Sequence, residues 1–182
     1  MKQIVLNDTN IFIDLHDVGL LDEFFRLPWE VHTTDFVISE LQQAEQQAAV
    51  SEFEVGGRLH VVKFGFDEIV EINKLKQLYG KNTNVSLTDC SVWYYAKQNG
   101  CTLLSGDCKL RNSAMSDGVD VKGILYVFDM LVGAGAISSE IASKKLTLLK
   151  AINPRLPENE IKKRLKQWNG EQIKERRRPM ED

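Results

Sequence analysis

Ile4-Val5-Leu6-Asn7-Asp8-Thr9-Asn10-Ile11-Phe12-Ile13 opens the chain with an apolar run, breaks it with four polar residues and then resumes it. A run that would otherwise be entirely core gains Asn7-Asp8-Thr9-Asn10 where the chain leaves a sheet. Residues 4–6 therefore read as a buried strand, with Asp8 standing just beyond its carboxyl end.

Further short apolar runs at 31–33, 59–62, 102–105 and 119–121 read as strands. They alternate with helical patterns around Leu20-Leu21 and Phe24-Phe25, and at 36–49, 67–79, 88–99, 108–115 and 124–132. Gly80 and Gly100 close two of these helices. Such β/α alternation predicts an α/β fold with a mainly parallel sheet covered on both faces. After Gly133 the pattern is purely helical, at 138–152 and 157–168. The expected organisation is a body over 1–132, a helical extension packed on it over 133–170, and a charged, flexible tail over 171–182. Ile161, Leu165 and Trp168 form one apolar stripe on the last helix, which must be covered by the body, a second subunit or a partner helix.

At 182 residues and 43% hydrophobic, the chain can bury one substantial core. The start, Met1-Lys2-Gln3, lacks the pattern of a secretory signal, and the longest apolar stretch, 123–137, is too short for a bilayer and contains Asp129. Cys90, Cys101 and Cys108 are odd in number and form no C-x-x-C pair, which fits a reducing cytoplasm. The whole chain carries net charge −3, but residues 155–182 hold nine bases and six acids, leaving −6 on the remainder. An acidic body binds phosphate poorly on its own, so phosphate chemistry there calls for metal cations or a basic partner.

Two acids follow strands: Asp8, and Asp107, which follows 102–104. The carboxyl ends of parallel strands are where ligands collect in such sheets. Glu40 shares a helical face with Val37, Leu41 and Ala44, and Asp89 shares one with Val92, Trp93 and Ala96. Inward carboxylates need a partner, a proton or a metal. Each acid also has an ordinary use: Asp8 as a helix N-cap, Asp89 as a first-turn acid, Glu40 as a surface acid and Asp107 as a turn residue. Converging together, the four would call for a hard divalent cation, Mg²⁺ or Mn²⁺.

Ile4-Val5-Leu6-Asn7-Asp8-Thr9-Asn10, Ile38-Ser39-Glu40-Leu41, Leu87-Thr88-Asp89 and Leu103-Leu104-Ser105-Gly106-Asp107 resemble, in order and spacing, the four motifs of PIN-domain nucleases. The resemblance spans roughly residues 2–130 and implies a three-layer α/β/α sandwich. It also implies a Mg²⁺- or Mn²⁺-dependent ribonuclease whose catalytic and metal-binding residues are Asp8, Glu40, Asp89 and Asp107. Thr9, Asn10 and Ser105 are then expected to orient the site, and Lys109 and Arg111 to meet substrate phosphate or simply solvate the surface. Many bacterial members are VapC-like toxins, which adds an RNA substrate, a small antitoxin partner and a homodimer to the expectations. A noncatalytic PIN-like binding module is the alternative.

The remaining features are plainer. His16, His32 and His60 are scattered without metal-site spacing and read as ordinary polar residues. No phosphate-binding P-loop is present. At least two of Trp93, Tyr94 and Tyr95 are expected in the core, and Arg176-Arg177-Arg178 either binds RNA or solvates the tail.

Overall fold

A computed structural model describes residues 3–176, the side chains of 80–83 and 171–176 excepted. The strands β1 (Gln3–Asn7), β2 (Trp29–Thr34), β3 (Leu59–Val62), β4 (Thr102–Leu104) and β5 (Val121–Lys122) form one sheet in the order β3-β2-β1-β4-β5. Every pairing is parallel. Val5, Leu6, Leu103 and Leu104 are fully buried, as central strands covered on both faces require.

Ten helices complete the described chain: α1 (Thr9–Asp17), α2 (Leu21–Phe25), α3 (Asp35–Glu40), α4 (Ala44–Val55), α5 (Phe66–Thr83), α6 (Leu87–Asn99), α7 (Cys108–Ser116), α8 (Ile124–Gly133), α9 (Ser139–Ile152) and α10 (Glu158–Arg176). The path steps from β1 to β2 to β3, then returns across the sheet to β4 on the other side of β1. Right-handed crossovers send the helices of the first steps to one face and those of the return to the other, giving a three-layer α/β/α sandwich. The packing agrees: α1 meets α4, and α6 meets α5 and α7, while α3 touches both α1 and α6. The reversal of strand order falls between β1 and β4, where open α/β sheets form their ligand crevice.

One helix is added to the expected elements, and several boundaries shift. The first helix begins immediately after β1, because Asp8 caps it and Ile11, Phe12 and Leu15 supply a buried face at helical spacing. The single helix expected over 36–49 is broken into α3 and α4. No Gly or Pro marks that break. Leu41 turns extended (ψ 107°) and sinks into the core, 1% exposed, and the Gln47 amide donates to its carbonyl. Tertiary burial overrides local helix propensity there. The helix α5 runs through Gly80 to Thr83, and the last strand is Val121–Lys122 rather than 119–121.

The C-terminal helices dock on the body. Ile161 and Trp168 are buried, Leu165 packs partly against the same core, and the Trp168 ring stacks on Phe128 at 6.4 Å. Arg164 lays its guanidinium on Asp129 through bonds of 2.7 to 3.1 Å. Asn153, at the end of α9, donates to both oxygens of Asp14 in α1. The last helix continues past 170 to Arg176, and Arg177-Arg178 with the rest of 177–182 lies outside the described residues. Among the described residues, no helix is long and apolar enough to cross a membrane.

Candidate functional site

The carboxyl ends of β1 and β4 are tied together at Asp8, whose backbone N–H donates to the Leu104 carbonyl at 3.0 Å. Asp8 is 3% exposed and caps α1, its Oδ1 accepting from the Thr9 N–H at 2.8 Å. Its Oδ2 accepts from Ser105 Oγ at 2.6 Å and from Asn10 Nδ2 at 2.7 Å. The same Ser105 Oγ accepts from the Asp107 N–H at 3.1 Å. Asp107 Oδ1 in turn caps α7, accepting from the Lys109 and Leu110 N–H groups at 2.8 Å each. One buried hydroxyl thus holds two acids at adjacent strand ends. Asn10 Oδ1 receives the Gly106 N–H at 2.6 Å, and a Cβ at 106 would stand only 3.0 Å from that oxygen. A side chain there would make Asn10 give way by a few tenths of an ångström.

Glu40 departs from expectation. It was expected on an inward face shared with Ala44, but Ala44 belongs to the next helix, and both residues are exposed. Glu40 ends α3 at the rim, and Thr9 Oγ1 donates to its Oε2 at 2.9 Å, tying it to the Asp8 corner. Asp89 is half-buried in the first turn of α6, whose Val92, Trp93 and Ala96 are buried. It also completes a capping box: Ser86 Oγ accepts from the Asp89 N–H at 2.9 Å, and Asp89 Oδ2 accepts from the Ser86 N–H at 2.5 Å.

The electrostatics join the four. Burial pushes the Asp8 carboxyl up to about 7, with the Ser105 and Thr9 bonds opposing and the charges of Asp89 and Glu40 adding. Burial also raises Asp89, against its Ser86 bonds, and the charges of Asp107 and Glu40 push the same way. Among the described residues, no Lys or Arg forms an ion pair with any of these acids. The corner holds mutually repelling hard oxygen donors, though no three of these acids bring donor atoms within 4.8 Å of one another.

Beside it lies a cleft of about 870 Å³ whose walls include Asn10, Asp107, Lys109, Arg111, Lys122 and Arg155. Lys109 and Arg111 were expected near the site, and Arg111 packs over Gly123, where a Cβ would come within 2.7 Å of Nη1. Lys122 and Arg155 escaped the sequence reading. For Lys122 the signal was available: it ends the last parallel strand and so emerges at the same edge as the acids. Arg155 arrives only through the docking of the C-terminal helices.

The aromatic trio divides, with Trp93 fully buried and Tyr94 and Tyr95 half-buried. His16 stays apart against Asp17, but the other two histidines come together. His32 and His60 are register partners on β2 and β3, and with Glu30 they bring three donor atoms within 4.8 Å of one another. Histidines 28 positions apart in sequence become neighbours only through strand pairing.

No curated protein matches the sequence. Among solved structures, the fold is similar to PAE2754 from Pyrobaculum aerophilum, at 15% identity and a TM-score of 0.52, covering 73% of this chain and 99% of that one. It also overlaps VapBC-1 from nontypeable Haemophilus influenzae, at 16% identity and a TM-score of 0.48, over 68% of this chain and 99% of that one. A family description of the PIN domain matches residues 4–170, and so takes in α9 and most of α10 along with the sheet. With that match over nearly its whole described length, the chain belongs to the PIN-domain family.

Proposed function

We propose that this protein is a Mg²⁺- or Mn²⁺-dependent endoribonuclease acting through Asp8, Glu40, Asp89 and Asp107. The observation that carries this reading is the Asp8–Ser105–Asp107 linkage at the strand-order reversal, with the charges of Asp89 and Glu40 acting on Asp8. The donor set fits the ion: hard carboxylate oxygens, no ion-paired base, and a buried acid whose ionisation is opposed by its neighbours. When bound, such an ion supplies Lewis acidity at a scissile phosphate and an activated water.

The chain itself supplies position and charge. Ser105 fixes the spacing of Asp8 and Asp107, and Thr9 orients the Glu40 carboxylate. Asn10 braces Asp8 with its amide N–H and the Gly106 backbone with its carbonyl. Lys109, Arg111, Lys122 and Arg155 in the adjoining cleft would receive the phosphates flanking the cleaved bond. This offsets the acidic balance of the body, since RNA need only meet the cationic cleft. The family resemblance extends the reading to a toxin held inactive by a small antitoxin.

One observation favours a noncatalytic module instead. Asp8 and Asp107 cap helices and Asp89 completes a capping box, so three of the acids already serve the fold. Incubating purified protein with end-labelled RNA, with and without Mn²⁺ and after chelation, separates the readings. Cleavage that requires Mn²⁺ and returns on its re-addition is expected. RNA binding without cleavage in either condition would favour the module.

A further inference from the structure

The strands β2 and β3 pair in parallel with His32 opposite His60, and their ring centroids lie 4.9 Å apart. Glu30, two residues before His32, shares its face of the sheet. Glu30 Oε1 lies 3.1 Å from His32 Nε2 and 4.0 Å from His60 Nε2. Two ligands bound tetrahedrally to one zinc ion sit about 3.4 Å apart, so these separations bracket what a shared ion needs. Both Nε2 atoms thus face one carboxylate oxygen. Behind His32, Nδ1 lies 2.8 Å from the Tyr95 hydroxyl. With Nε2 on a metal, Nδ1 carries the proton and donates it to that oxygen, the outer hydrogen bond that fixes a ligand's tautomer and orientation.

We propose that Glu30, His32 and His60 form a second cation site, specific for a transition metal of the Zn²⁺ class. The donor set decides the metal, because imidazole nitrogen favours Zn²⁺ over Mg²⁺, which seeks oxygen. His32 is buried, Glu30 half-buried and His60 exposed, so an ion enters from the His60 side and completes its shell with water.

The site is separate from the acidic corner. On α6, Ser91 bonds Thr34 and Tyr95 meets His32, so the helix runs down β2 from its carboxyl end. Asp89 lies six residues before Tyr95, about one and two-thirds turns or about 9 Å along the helix axis, too far for one ion to serve both. Its place between the edge strand β3 and its neighbour gives it a structural role: an ion there clasps the edge of the sheet.

The test uses metal-free full-length protein. Adding ZnCl₂ should raise the melting temperature, saturating at one equivalent at this site, and Co²⁺ should give the visible absorption of a tetrahedral nitrogen-ligated ion. His60→Gln and Glu30→Gln, both solvent-reaching, should leave the metal-free melting temperature unchanged, abolish the Co²⁺ absorption and remove the part of the Zn²⁺ gain that saturates at one equivalent. Asp8→Asn should retain them, which separates this site from the acidic corner. The proposal is overturned if wild type shows neither response, if His60→Gln responds equally, or if Asp8→Asn abolishes the response.

Discussion

Ser105 donates to Asp8 over 2.6 Å across 97 residues of sequence, and the same oxygen receives the backbone of Asp107. Ser105→Ala removes a buried bond to a carboxylate and should cost about 1.5–3 kcal/mol of stability when Asp8 is ionised. It should also weaken metal binding or cleavage by roughly 10–100-fold, as loss of an orienting partner does. Denaturant melts and Mn²⁺ titrations of the variant check both numbers.

Metal linkage follows from the repulsion. Millimolar Mg²⁺ or Mn²⁺ should raise the melting temperature, because an ion bound only by the folded state stabilises it by mass action. The gain should vanish in the Asp8→Asn, Asp89→Asn double variant. Equal shifts in both proteins would place the ions elsewhere.

The pH dependence of the metal-free protein has a defined sign. Burial raises the Asp8 carboxyl from 3.8 to about 7, so the folded state holds that proton more tightly than the unfolded chain does. This contribution is full below the unfolded value and is lost as pH rises through about 7, by up to roughly 4 kcal/mol at one pKa unit per 1.4 kcal/mol. Metal-free wild type should therefore lose stability as pH rises from about 4 to about 7, the interval between the unfolded and folded values. Asp8→Asn should show a flatter profile, and Mg²⁺ should rescue wild type most at the alkaline end. Parallel profiles with and without Asp8 would contradict the assignment.

The docked last helix should matter to the whole molecule. Trp168 is 2% exposed against Phe128, so Trp168→Ala should cost about 3–5 kcal/mol. Truncation after Ile152 should expose the apolar surface that α10 covers and reduce solubility. A truncated protein that stays monomeric with an unchanged melting temperature would mean that the helix is dispensable.

The cationic wall of the cleft makes a separate prediction. Arg155→Ala should weaken RNA binding uniformly across sequences and lower the slope of log affinity against log salt by about one phosphate contact. Binding isotherms at several salt concentrations read the slope directly.

The β/α order and the positions of Asp8 and Asp107 just past β1 and β4 were legible because local pattern and topology coincide there. Glu40 was misplaced on an inward face, since nothing local announces that Leu41 will turn extended and end α3. Long-range pairing hid the rest. Ser105 has no local reason to reach Asp8, His32 and His60 meet only because β2 and β3 share a register, and Arg155 reaches the cleft only with the docked extension.

The most direct test of the account is the rate at which Asp107→Asn protein cleaves end-labelled RNA at saturating Mn²⁺, measured beside wild type and with its fold checked by circular dichroism. The account predicts a folded variant slowed by at least about a hundredfold, beyond what losing an outer-shell partner costs. A folded variant that cleaves within a few-fold of wild type would contradict it.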